Sequence, residues 1–287
     1  MSSRTVSPKM LTERLSGELP AEVKQGMVLI GSLAAAYHYR NEIGASAIRT
    51  KDADLLLSPR SAAVLSGQRG AEVLLDAGWT PQLEYGLPGK SPKPANALPV
   101  IRLFPPESHD YFVEFLSVPG TDPSLEKEWI PVRVQDGWFA LPAFRFIGLT
   151  AWSPLTSESG IKYARPSTMA LANLLSHQAI GKARMSTSYY TPDGDKYLKR
   201  ANKDLGRVLA LAYLEGEDSL DWLADWRSAL DSVFPNTHPQ LSPKVGLGLR
   251  ELLDSPADLE EAWLTCDYGL LKDLGVDPQA LRIAGER

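Results

Sequence analysis

Asp52 and Asp54, one residue apart, open an apolar stretch that continues as Leu55-Leu56-Leu57. Strand positions i and i+2 share a face, so the two carboxylates project together. Like charges held that close resist joint ionisation unless a cation lies between them. Mg²⁺ takes one or two protein carboxylates and fills its shell with water and substrate phosphates. The pair therefore suits Mg²⁺ (or Mn²⁺) carrying a nucleoside triphosphate. Upstream, Val28-Leu29-Ile30 runs into Gly31-Ser32 and then Leu33-Ala34-Ala35-Ala36-Tyr37. A helix starting at Gly-Ser offers unpaired N–H groups and a hydroxyl, the donors that hold phosphate. Ser32 is also an ordinary helix N-cap, and the two roles are compatible. Glu114 is the third candidate, a lone charge in Tyr111-Phe112-Val113-Glu114-Phe115-Leu116. A buried carboxylate is costly unless paired, protonated or metal-bound. If its strand lay beside the Asp52–Asp54 strand, Glu114 would complete a three-carboxylate site, as metal ligand or proton acceptor.

The elements that must position these residues follow from periodicity and breakers. Helical spacing of Leu11, Leu15, Leu19 and Val23 predicts a lead-in over 8–26. A strand at 27–30, a helix at 33–39 and a loop at 41–46 follow, then a strand at 50–58 stopped by Pro59. A helix at 61–77 closes on Gly78, a loop spans 85–99, and paired strands occupy 100–104 and 111–118. Further β character lies at 130–134 and 138–141. Beyond about residue 150 the pattern is helical, at 168–184, 196–214, 220–233, 244–253 and 257–271. The expected class is α+β: a small mixed β-sheet domain over 1–150, then an all-helical C-terminal domain over 151–287.

The chain has 287 residues, 44% hydrophobic and 23% charged, enough for one large core or two ordinary ones. A formal charge of −5 argues against a chain basic throughout but leaves room for a local basic cleft. Cys266 stands alone, which excludes an internal disulfide and a thiolate zinc cluster. The polar stretch from Met1 to Glu18 predicts no signal peptide, and no apolar run reaches a membrane span. A cytoplasmic protein without membrane contact is expected.

Gly-Ser after a strand, Asp-x-Asp on a second and a carboxylate on a third resembles the nucleotidyltransferase superfamily, with the fold of DNA polymerase β. Gly31-Ser32-Leu33-Ala34-Ala35-x-Tyr37 with Arg49-Thr50-Lys51-Asp52-x-Asp54 is most similar to a bacterial group of nucleotidyltransferase-fold proteins resembling abortive-infection E toxins. The resemblance covers the first half by motif and the second by helical character alone. It implies that Gly31 and Ser32 bind triphosphate, that Asp52 and Asp54 ligate Mg²⁺, and that Glu114 takes a position more often held by Asp. Those relatives carry a His-Lys pair in a helix that starts after a proline. Here Pro166 opens the helix, but Ala172-Asn173 stands in that place, with His177 a turn later. Lys182, Arg184 and Lys203, with Lys51 from the strand motif, are the candidate nucleotide-binding cations. The place of a later Lys-x-x-Lys-Asp segment is taken by Lys199-Arg200-Ala201-Asn202-Lys203-Asp204.

The expected activity is Mg²⁺-dependent transfer of NMP from an NTP to a hydroxyl, with release of pyrophosphate. By resemblance the acceptor is an RNA 3′ end such as that of tRNA, or a protein, and an antitoxin is a candidate partner. The active site is expected in the cleft between the domains. Asn173 motivates a second reading, a nucleotide-binding or interaction protein without turnover, and phosphotransfer on the same fold is a third. His38 and the tryptophans at 222, 226 and 263 are read as packing residues, and 189–195 as a turn between helices.

Overall fold

The computed structural model describes residues 5–44, 48–50, 52–83, 86–120, 122, 125–180, 189–190, 198–272 and 274–287. Two compact units divide the chain: Met1–Tyr37 with Ser46–Ala164, and His38–Ala45 with Arg165–Arg287.

In the first unit, strand β1 (Thr5–Val6) is followed by helices α1 (Pro8–Glu18) and α2 (Ala21–Gln25). Next come β2 (Met27–Ile30), α3 (Gly31–His38), β3 (Ile48–Arg49), β4 (Asp52–Leu57) and α4 (Arg60–Asp76). The remaining strands are β5 (Thr80–Pro81), β6 (Arg102–Phe104), β7 (Phe112–Leu116), β8 (Lys127–Val134), β9 (Gly137–Phe144), β10 (Leu155–Thr156) and β11 (Lys162–Tyr163). Seven strands form a mixed sheet in the order β10-β11-β2-β4-β7-β6-β5. At its centre β4 runs antiparallel to β2 and parallel to β7, and β8 and β9 form a separate hairpin.

One face of the central strands is closed. Ala53, Leu55, Leu57, Val113 and Phe115 are all 0% exposed. Helix α4 reaches this face through glycines: a Cβ on Gly67 would lie 3.1 Å from Leu57 Cδ1, and one on Gly70 3.3 Å from Phe115 Cζ. Those missing side chains let the helix backbone approach the sheet closely.

The protein is thus mixed α+β, with two departures from the expected architecture. β10 and β11 lie beyond residue 150 yet belong to the sheet, where β11 pairs parallel with β2. The expected all-helical portion also contains a short antiparallel pair, β12 (Tyr189–Tyr190) with β13 (Leu198–Lys199). Two-residue strands are too short to leave an alternating pattern. Among the described residues no helix is long and apolar enough to cross a membrane.

The second unit contains α5 (Pro166–Ile180), β12, β13, α6 (Arg200–Glu215), α7 (Trp222–Val233), α8 (His238–Leu241), α9 (Leu247–Leu253), α10 (Pro256–Tyr268) and α11 (Pro278–Glu286). The 38–45 segment joins it through the Tyr39 hydroxyl, which donates to Glu215 and is held protonated by burial and that carboxylate. Trp226 Nε1 donates to Ser167 O at 2.7 Å and Trp263 Nε1 to Val276 O at 2.6 Å, so both indoles tie elements together. Cys266 is buried, its thiol pushed up to about 12 by desolvation.

Between α6 and α10, Asp258 Oδ1 accepts from Lys199 Nζ at 2.6 Å and from Asn202 Nδ2 at 3.0 Å. Burial alone would raise the Asp258 pKa, but hydrogen bonds from Lys199, Asn202 and Ser255 and the lysine charge outweigh it and lower it. A depressed folded-state pKa contributes stability above the unfolded value of about 4, lost as pH falls through the folded value. Asp258→Asn is therefore expected to be less stable than wild type near neutrality, with the gap closing in denaturant titrations below about pH 4. A gap that persists undiminished at low pH would contradict the ion-pair account.

Candidate active site

Strand register decides which side chains meet. β4 and β7 pair parallel with Asp52 opposite Phe112 and Asp54 opposite Glu114. β6 lies antiparallel on the far side of β7, with Arg102 opposite Glu114. Cross-strand partners share a face. Asp52, Asp54, Phe112, Glu114, Arg102 and Phe104 therefore lie on the face opposite α4. The same register brings in the end of β2, where Ile30 pairs with Asp54 and the chain turns into Gly31-Ser32. The starts of β4 and β7 and the end of β2 converge on one edge of the sheet, because β2 runs the other way.

The turn after β2 requires glycine on two counts. Gly31 has φ +73°, and a Cβ there would stand 2.8 Å from Asp54 Oδ2. Any larger residue would be strained and would also displace that carboxylate. Asp52 is oriented by Thr50, whose hydroxyl donates to Asp52 Oδ1 at 2.9 Å.

Glu114 is 8% exposed, and Arg102 Nε donates to its Oε2 at 2.6 Å. The guanidinium also lies over the Phe112 ring, its Cζ 5.1 Å from the centroid. A buried carboxylate is retained when a charged donor compensates its lost hydration, and Arg102 supplies that compensation.

The site residues expected from sequence separate into three groups. Asp52, Asp54 and Glu114 share one strand face, with Gly31 against Asp54 and Ser32 next to it in the chain. Lys51 and Lys182 lie outside the described residues, as does Arg184. Lys203 belongs to α6 and Lys199 to β13, both in the second unit, and Lys199 is occupied with Asp258. Asn173 directs its amide to Met169 O of its own helix at 3.0 Å. His38 packs edge-on against Tyr39, with ring centroids 4.7 Å apart, and burial lowers its pKa.

Arg102, Phe112 and Thr50 are additional members of the site. A signal for Arg102 was present, since it is a lone charge in Val-Ile-Arg-Leu-Phe, as Glu114 is in its own strand. Lone opposite charges in neighbouring apolar strands are natural partners.

A divalent ion fits part of this donor set. Asp52 and Asp54 offer hard oxygen ligands on one strand face, matching the one or two carboxylates Mg²⁺ takes from protein. Glu114 Oε2 is engaged by Arg102. Among the described residues no three His, Cys, Asp or Glu side chains are grouped to hold a metal ion. The expected three-carboxylate cluster is thus not formed as these side chains stand. Comparison with protein-family models, curated proteins and solved structures finds no match for this chain.

Gly31 and Gly44 give a direct test of the turn. Gly44 has φ +57° with open space around a Cβ, so Gly44→Ala carries backbone strain alone, about 1–2 kcal/mol. Gly31→Ala also displaces the Asp54 carboxylate, the far end of a side chain, and is expected to lose about 1 kcal/mol more, read from urea midpoints at unchanged m. Equal losses would show that the Asp54 contact imposes no constraint.

Proposed function

We propose that this protein is a divalent-metal-dependent nucleotidyltransferase, its site built on a sheet of the nucleotidyltransferase kind. The observation that carries the reading is the pairing of Ile30 with Asp54, and of Asp54 with Glu114, which joins the Gly-Ser turn to the acidic strand face. A phosphate-binding turn beside paired carboxylates is the combination that phosphoryl and nucleotidyl transfer require, because their catalysis is mainly positioning and electrostatics.

Gly31 and Ser32 bind triphosphate oxygens through backbone N–H groups and the Ser32 hydroxyl. Asp52 and Asp54 would hold Mg²⁺ or Mn²⁺, which supplies charge neutralisation of the triphosphate and favours a deprotonated acceptor hydroxyl. The acceptor oxygen forms a bond to the α-phosphorus, the bond from that phosphorus to the bridging oxygen breaks, and pyrophosphate leaves. The hydroxyl proton passes to a carboxylate of the same face. Glu114 acts through Arg102, fixing a cation beside the accumulating negative charge. The resemblance of Gly31-Ser32 and Asp52-x-Asp54 to abortive-infection E toxins favours an RNA 3′ end such as that of tRNA, or a protein, as acceptor. It also makes an antitoxin a candidate partner.

A second reading, nucleotide binding without turnover, draws on the engagement of Glu114 by Arg102 and of the Asn173 amide by its own helix. One experiment separates the two. Purified protein is incubated with each α-³²P-labelled NTP, Mg²⁺ or Mn²⁺ and total bacterial RNA, alongside Asp52→Ala/Asp54→Ala. Transfer predicts label on RNA or protein with wild type, reduced about 100-fold or more in the variant. Equal labelling by both proteins would refute the assignment. Metal-dependent NTP binding without labelled product would favour the binding reading.

A further inference from the structure

Resting on the nucleotidyltransferase reading, we propose that Arg102 and Phe112 form a stacking platform for the base of a nucleotide substrate. The structural basis is a layered arrangement beside Asp52. Phe112 is the in-register neighbour of Asp52 on β7. The Arg102 guanidinium lies over the Phe112 ring at 5.1 Å, and its Nε is tied to Glu114 Oε2 at 2.6 Å. Ring below and carboxylate beside it hold the cation in a defined orientation while its side chain keeps 28% exposure. Phe104 stands nearly perpendicular to Phe112, at 88° with centroids 5.9 Å apart, and forms a wall. His109 extends that wall, its ring 4.8 Å from Phe104. The loop carrying His109 is braced by Ser108, whose hydroxyl donates to Asp110 Oδ2 at 3.0 Å.

Core packing alone does not account for this arrangement. Phe115, on the opposite face of the same strand, is 0% exposed, whereas Phe104 and Phe112 are half-buried and His109 is exposed. A fixed guanidinium backed by an aromatic ring suits a flat, π-rich group, because bases stack on arginine planes as well as on aromatic faces. A phosphate would need only the charge. The platform therefore selects for a nucleobase, from the NTP or from a single-stranded RNA acceptor.

The test is equilibrium binding, without any transfer step. Wild type, Arg102→Lys, Phe112→Leu and Asp52→Asn/Asp54→Asn are titrated with each NTP, with Mg²⁺-tripolyphosphate, which lacks a base, and with a short single-stranded RNA. Arg102→Lys keeps the charge but loses the plane. It and Phe112→Leu are expected to weaken a base-containing ligand about tenfold while leaving tripolyphosphate unchanged. Loss confined to NTP assigns the donor base, and loss confined to RNA the acceptor base. Thermal melts report folding, and Phe112→Tyr, which keeps the ring, is expected to retain binding. Equal weakening of tripolyphosphate, no weakening of any ligand, or wild type that binds no base-containing ligand would overturn the platform. If base-selective loss appears while Asp52→Asn/Asp54→Asn alters no binding, the platform stands and the carboxylate assignment falls.

Discussion

The in-register parallel pairing of β4 with β7 determines nearly everything about the site. Side chains alternate along a strand, so a slip of one residue would turn Asp54 or Glu114 to the opposite face. What prevents the slip lies on that opposite face. Leu55, Leu57 and Phe115 are fully buried there beneath α4, and each such side chain contributes about 1.5–3 kcal/mol by its burial. Setting Asp54 beside Glu114 works against the pairing by like-charge repulsion, which the Arg102 ion pair on Glu114 reduces. Apolar burial wins. The register is therefore imposed from the closed face, and the charged face accepts the consequence.

That consequence is an excess of negative charge, answered locally in different ways. Arg102 neutralises Glu114, the more buried of the carboxylates on this face. Thr50 orients Asp52 by a neutral hydrogen bond. Asp54 rests against the one residue whose missing side chain leaves it room, Gly31. A divalent cation completes this pattern for the Asp52–Asp54 pair in the proposed mechanism. Arg102 is the counter-ion for Glu114, and the proposed platform gives it a second role as a fixed planar cation.

Much of this frame was legible in the sequence. Apolar runs ending at Gly31 and Pro59 marked β2 and β4, and the run around Glu114 marked β7. Their adjacency in the sheet was an expectation that the pairing of Asp54 with Glu114 now makes specific. Strands β10 and β11 escaped because two residues carry no period. Helix α11 escaped despite clear local signals, since Pro278 begins it and Asp277 Oδ1 caps the Ala280 N–H at 2.7 Å. Glu114 was legible as a charge needing a partner. Arg102 carried the matching signal in its own strand, but a metal and Arg102 satisfy the same requirement and only the register assigns one to Glu114.

In the proposed function the face carrying Asp52 and Asp54 binds a divalent cation together with a nucleoside triphosphate. Electron paramagnetic resonance of Mn²⁺ titrated into the protein with a non-hydrolysable NTP analogue tests it most directly. Protein-bound Mn²⁺ that depends on the nucleotide and disappears in Asp52→Asn/Asp54→Asn is expected. Equal Mn²⁺ binding by the wild type and the variant, or none by either, would contradict it.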